Sequence, residues 1–209
     1  MKSKQTRKRN KGGTKKPAQK RGQMLAFTPK QIETLATFLR ESDRVRAKRD
    51  YAIMWMAVDT ILRSVDLLQL TYGQTMRDGE PVEEFQVQQK KTGELVRCIL
   101  TEPSRAALAR YVNSMAPHVW EDGTRRLFPI TTRQYQNLVN RWCEMLRLDK
   151  TRYSTHSLRR TKVRQIYAET GNMAFCQKLL GHSSILHTQR YLGVTQEDAL
   201  DWARKVVFK

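Results

Sequence analysis

The sequence predicts a mainly α-helical domain with one small antiparallel β-sheet. Apolar residues recur at helical spacing over most of the chain from residue 29 onward. Two short alternating segments flank a single turn, and helix caps and glycine stops punctuate the last third. The 209 residues allow one domain of ordinary size with an appendage.

Taken in order, Thr28, Pro29 and Gln31 supply a cap, a first-turn proline and a capping-box partner, and Ile32, Leu35, Ala36 and Leu39 follow on one face. A helix is expected over about 29–40. Tyr51 to Leu62 is apolar across nearly its full width, so it should be a helix buried on most sides and central to the domain. Phe85, Val87 and Gln89 alternate on one strand, Val96, Cys98 and Leu100 on a second, and Lys91-Thr92-Gly93-Glu94 offers the turn of a hairpin. Two further helices are marked by Ala107, Leu108, Tyr111, Val112 and Met115, and by Tyr135, Leu138, Val139, Trp142 and Leu146. Next comes a helix from His156 to Thr170 stopped by Gly171, then one capped by Asn172 and stopped by Gly181, then a short helix carrying Ile185 to Leu192. Thr195 and Asp198 open a last helix containing Trp202 and Val206.

Charge narrows the choice of partner. Thirty-nine Lys and Arg against twenty Asp and Glu give +19, which makes a polyanion the expected ligand, nucleic acid first and acidic lipid second. The longest apolar run, Tyr51 to Val58, falls far short of the roughly 20 residues a spanning helix needs, so no membrane role is expected. The basic N-terminus is not followed by an apolar segment, which argues against a secretory signal. Cys98, Cys143 and Cys176 are odd in number and widely spaced, as reduced thiols of a cytoplasmic protein would be, and they form no zinc-ligand pair. Residues 1–22 hold ten cations and no acid, including Lys8, Arg9, Lys15 and Lys16, and read as a disordered DNA-binding tail ahead of a domain over 23–209. That domain is itself basic, at +9.

Singly, the polar residues of the remaining motifs have ordinary explanations. His156 and Arg159, three apart, could be a surface pair on one helix face, and His182 a helix-end histidine. Arg63 and Asp66 could be an exposed ion pair, Lys91 a solvated turn residue and Tyr191 a half-buried core residue. Jointly they fall in one order: Arg63 within Ile61-Leu62-Arg63-Ser64-Val65-Asp66-Leu67-Leu68, then Lys91-Thr92-Gly93, then His156-x-x-Arg159, then Leu180-Gly181-His182-Ser183-Ser184, then Tyr191-Leu192. The intervals are 28 from Arg63 to Lys91, 23 from Arg159 to His182 and nine from His182 to Tyr191.

This order and spacing closely resemble the tyrosine recombinase (phage integrase) family over about residues 26–195. The resemblance implies the family's catalytic-domain fold and a DNA strand exchange through a 3′-phosphotyrosyl link, without ATP, metal or cofactor. It assigns Tyr191 as nucleophile, Arg63 and Arg159 as ligands of the nonbridging phosphate oxygens, and Lys91 as general acid to the leaving 5′ oxygen. His156 would be the base, His182 would donate to the phosphate or steady the base, and Asp66 would orient the arginines from behind. The partners implied are double-stranded DNA at two sites held by a homotetramer, with room for accessory DNA-bending proteins. The outcome implied is integration, excision or inversion of an element, of the kind carried by phage or mobile DNA in a bacterial nucleoid. Trp202, Val206, Val207 and Phe208 are candidates for docking on a neighbouring subunit.

The chain departs from the family pattern in two places. Ile61 stands where members usually carry glycine, so the backbone at that helix end is expected to differ. The chain is also expected to lack the core-binding domain that most members carry ahead of the catalytic one, as the short fimbrial invertases do. The rival activities are DNA relaxation of the type IB topoisomerase kind and non-catalytic DNA binding by a regulator. The tail yields its own expectation: with all ten cations on phosphates it contributes a log–log salt slope near roughly −9. Deleting residues 1–22 should therefore flatten the salt dependence of DNA affinity, and an unchanged slope would leave the segment as a solubilising arm.

Overall fold

The structure, a computed structural model, describes residues 24–205. Helix α1 (Pro29–Arg40) opens with the expected capping box, Gln31 N donating to Thr28 Oγ1 and Gln31 Oε1 accepting from Thr28 N. Helix α2 runs Val45–Thr60, starting six residues earlier than the apolar run suggested. That first turn escaped notice because its N-cap is Arg44, without a side-chain capping bond, and its residues are polar on most sides. From Asp50 to Thr60 it is buried almost throughout, and it packs against α1, α5 (Glu102–Val112) and α7 (Thr155–Thr170) as the central element.

Two short helices, α3 (Ser64–Leu67) and α4 (Tyr72–Thr75), follow. The β-structure is two separate antiparallel pairs rather than one sheet. A minimal ladder joins β1 (Met76–Arg77) to β2 (Glu80–Pro81), too short to leave a period in the sequence. The predicted hairpin joins β3 (Glu84–Gln88) to β4 (Leu95–Ile99), with Phe85 opposite Cys98 and Val87 opposite Val96, and Gly93 at φ 72 turns its tip. Helix α6 (Thr132–Met145) turns Tyr135, Leu138, Val139, Trp142 and Cys143 into the main core. The chain then closes with α7, α8 (Met173–Leu180), α9 (Ile185–Leu192) and α10 (Gln196–Lys205). Asn172 Oδ1 accepts from Phe175 N at the start of α8, and Gly171, Gly181 and Gly193 end α7, α8 and α9 in the left-handed region, where glycine carries no Cβ penalty.

Three features tie the last helices to the centre. Buried Asp59 of α2 accepts from Thr101 N, Thr101 Oγ1, Ser104 Oγ and, at 2.6 Å, Lys162 Nζ of α7, so one carboxylate joins α2, α5 and α7. These donors hold its pKa below the usual carboxylate value although burial alone would raise it. A second small core, separate from the first, consists of Ile61, Val163, Cys176, Leu180 and Leu192. Ile61 is also the C-cap of α2 and sits at φ 55, ψ 21, the left-handed conformation that a β-branched residue adopts only at a cost.

Lys8, Arg9, Lys15 and Lys16 lie outside the described residues, as do Val206, Val207 and Phe208, while Trp202 falls within α10. The three cysteines are free thiols and buried. Among the described residues no helix is long and apolar enough to cross a membrane.

The double duty of Ile61 yields an inverted expectation for substitution. Ile61→Ala deletes the buried side chain at a cost of about 2–5 kcal/mol and keeps the backbone penalty. Ile61→Gly makes the same deletion but relieves about 1–2 kcal/mol of left-handed strain. Chemical denaturation should therefore rank wild type above the glycine variant and glycine above alanine, the reverse of ordinary helix propensity; alanine above glycine would refute the strain.

Candidate active site

The ends of α2, α7 and α8, the middle of α9 and the tip of the β3–β4 hairpin converge. Arg63 follows the turn made by Ile61 and caps the N-terminus of α3. Its Nη1 donates to the side-chain carbonyl of Gln89, which is 2% exposed and also accepts from Thr92 Oγ1 at 3.2 Å. The hairpin tip is held by a second link, Lys90 N to Asp66 Oδ1 at 3.0 Å. Lys91 thus stands exposed on a tip fastened on both sides to the Arg63 segment. Asp66 bonds the hairpin backbone rather than a guanidinium, acts on Arg159 only through space, and makes no ion pair with Arg63.

His156 and Arg159 lie on the first turns of α7. The chain enters this helix through Ser154, whose hydroxyl caps His156 N, and His156 remains accessible at the rim. Arg159, 2% exposed, turns inward, and its Nη2 donates at 2.6 Å to the carbonyl of Leu180, the last residue of α8. Its Nε has no acceptor among the described residues. Gly181 then turns the chain at φ 62, and a Cβ there would meet the Gln89 amide at 3.5 Å, so this turn packs directly on the residue that holds Arg63. His182 follows, half-buried, its Nδ1 sharing a 3.1 Å hydrogen bond with fully buried Thr188 on α9.

Tyr191, on the same face of α9 as Thr188, lies against His182, Arg159 and Arg160. Its ring is 5.6 Å from that of His182, edge to face, and the Cζ atoms of Arg159 and Arg160 are 5.9 Å and 4.3 Å from its centroid. Arg63, His156, Arg159, His182 and Tyr191 are therefore brought together, with Lys91 near enough to act on His156 through space. Sequence reasoning assigned no role to two neighbours: Arg160 follows another arginine and Gln89 reads as a strand residue, so neither carries a signal. Thr188 was visible only as the first residue of the Thr-x-x-Tyr-Leu pattern around Tyr191, without its bond to His182.

The electrostatics follow first from burial and then from the crowding of like charges. His156 has a lowered pKa, first because it is desolvated and then because Arg159, Arg160, Arg63 and Lys91 oppose a further charge. His182 is driven down to about 4 by burial, with Arg159, Arg63 and His187 adding to it. Both rings are neutral at pH 7. Burial also lowers Arg159, to about 10, where it still stays charged. Tyr191 is pushed up to about 12 by burial, against the pull of Arg159, Arg160 and Arg63. The site is thus a cationic cup beside a protonated phenol and two neutral imidazoles. Its buried, unspent guanidinium donors suit a tetrahedral oxyanion such as phosphate. Among the described residues no group of His, Cys, Asp and Glu side chains could hold a metal ion.

This helical core, with its hairpin and clustered arginines, has the catalytic-domain fold of the tyrosine recombinases. It superposes on the XerH site-specific recombinase, in a post-cleavage complex with palindromic difH, with a TM-score of 0.69 at 17% identity, over 87% of this chain and 53% of that one. The chain therefore spans about half the length of XerH. The Tn1549 transposon integrase, in complex with transposon right-end DNA, gives 0.65 at 18% identity over 87% of this chain and 66% of that one. The catalytic domain of bacteriophage HP1 integrase gives 0.55 at 18% identity, over 87% and 95% respectively. The chain belongs to the phage integrase family, whose model matches residues 26–198. The probable integrase/recombinase YoeC of Bacillus subtilis (strain 168) is 26% identical over 160 residues, 76% of this chain and 84% of that protein.

The depressed histidine values set a pH dependence. His182 in the folded chain titrates near 4 against 6.5 as its ordinary value, so between these the unfolded chain binds more protons and folding loses stability as the pH falls. His156 contributes with the same sign. Thermal denaturation without DNA should show the midpoint falling from pH 6.5 toward 4, and falling less in His182→Asn; an equal fall in the variant would remove His182 from the effect.

Proposed function

We propose that this chain is a site-specific DNA recombinase that cleaves and rejoins duplex DNA through a 3′-phosphotyrosyl intermediate. One observation carries the reading: the guanidiniums of Arg63 and Arg159 are held by a carboxamide and a backbone carbonyl, not by carboxylates, and both act on the phenol of Tyr191. A backbone phosphate seated on them would meet uncompensated charge and open donors, the condition for stabilising a pentavalent transition state.

The steps follow from the residues. The Tyr191 oxygen attacks phosphorus and the bond to the 5′ oxygen breaks. The phenol proton passes to His156, which its cationic neighbours keep neutral and able to accept it. Lys91, at the exposed hairpin tip, gives a proton to the departing 5′ oxygen. His182, fixed by Thr188 at one nitrogen, has the other available to donate to a phosphate oxygen. The new ester keeps the energy of the old one, so a 5′ hydroxyl from another strand can reverse the attack without ATP. Family membership and the DNA complexes of its structural neighbours support DNA as substrate, and the proposed reading extends this to exchange between two sites in a homotetramer.

In this reading the Tyr191 oxygen is the atom that bonds to phosphorus, so its removal should abolish reaction rather than slow it. Covalent protein–DNA adducts recovered under denaturing conditions from cells expressing the chain, sequenced at the break, locate the site and supply a suicide substrate. Wild type should become attached through a 3′ phosphate, leaving a 5′ hydroxyl, whereas Tyr191→Phe should bind the same duplex with unchanged affinity and never attach. Attachment by the phenylalanine variant would remove Tyr191 from its role. Relaxation of plasmid that lacks the site would point to a topoisomerase instead.

A further inference from the structure

Successive helix residues point about 100° apart, so consecutive arginines serve different surroundings. On α7, Arg159 turns inward to the carbonyl of Leu180, while Arg160 lies along the outer side of the same cup. Its Cζ stands 4.3 Å from the Tyr191 ring centroid, closer than that of Arg159 at 5.9 Å, and is placed over the ring. The imidazole of His182 meets the same ring edge to face at 5.6 Å. Arg160 forms no ion pair with a carboxylate among the described residues, and its Nε is buried without an acceptor there. A desolvated guanidinium with no carboxylate to satisfy it is held here by an aromatic face, the geometry of a cation–π contact.

The anchoring of α9 makes this contact matter. Only Thr188 and Leu192 of that helix are buried, and the intervening Gln189 and Arg190 are exposed. With so little of α9 embedded, the setting of the Tyr191 ring depends on the side chains that touch it.

We propose that Arg160 is the positioning residue of the nucleophile, gripping the Tyr191 ring by its face and favouring the phenolate form. Its catalytic consequence rests on the reading in the preceding subsection, but the grip itself does not. The Arg160 charge also lowers the phenol pKa, against the larger opposing effect of burial. Arg63 and Arg159 are committed to phosphate when DNA arrives, which leaves Arg160 as the cation that remains with the tyrosine.

Two measurements decide the matter. In DNA-free protein carrying 3-fluorotyrosine, the Tyr191 resonance is assigned by its loss in Tyr191→Phe and titrated by fluorine NMR. Arg160→Met should raise its pKa by about one unit, equivalent to tenfold less phenolate at a given pH, and Arg160→Lys should fall between. In single-turnover attachment to the suicide substrate, Arg160→Met should be about tenfold slower at pH 7, with the alkaline rise displaced upward by the same unit and DNA affinity unchanged. A folded Arg160→Met whose fluorine titration and pH profile match wild type overturns the proposal, even if its rate is lower. If wild type never attaches, the recombinase reading fails, while the fluorine titration still decides whether Arg160 grips the ring.

Discussion

The site depends on how its buried cations are held. Elsewhere in the fold cations meet carboxylates: Arg49 on Asp50, Lys162 on Asp59, Arg97 on Glu84, Arg110 on Asp43, Lys150 on Glu144. At the site the partners are dipoles, the Gln89 carboxamide for Arg63 and the C-terminal carbonyl of α8 for Arg159. A helix C-terminus carries about half a negative charge, enough to stabilise a guanidinium without cancelling it. The carboxylate nearest this group, Asp66, is turned to the hairpin backbone. This uncancelled charge adds to burial in keeping both histidines neutral, and it leaves guanidinium donors open toward the cup.

Crowding like charges is unfavourable, and the second core supplies the offset. Ile61 precedes Arg63 by two residues, Val163 follows Arg159 by four, Leu180 precedes His182 by two, and Leu192 follows Tyr191 directly. This apolar cluster is thus the reverse side of the site, and its packing sets the spacing of the polar residues in front. It also explains why a β-branched residue accepts a left-handed backbone at Ile61: the burial gained there outweighs the strain.

Much of this was legible in the sequence, for local reasons. The capping box at Thr28 and the glycine stops at 171 and 181 are short-range devices whose signals lie within a few residues of their effect. The site residues were legible through joint order and spacing, since each alone has an ordinary explanation. What stayed hidden was tertiary. No pattern says that the Leu180 carbonyl will meet Arg159, because a backbone oxygen has no residue type. Two adjacent arginines look alike until the helix phase assigns one to a carbonyl and the other to a ring. The early start of α2 was hidden because it lacks a capping side chain, and the expectation of an altered backbone at Ile61 failed because this isoleucine adopts the left-handed conformation that glycine favours.

The resting state of the Tyr191 phenol is set by the same cup, through burial opposed by charge. Three arginines pull the phenol toward ionisation, yet burial outweighs them and the proton stays on. The competition is one of solvation: ionising Tyr191 in a closed cup replaces water around an oxyanion with a few fixed donors. A bound phosphate would occupy the donors of Arg63 and Arg159 and reduce the net positive charge, which relaxes the suppression of His156 and makes it a stronger base. In the proposed mechanism the arginines that seat the substrate are thereby coupled to the histidine that takes the proton, so a phenol kept neutral without DNA would gain a working base only when phosphate is seated.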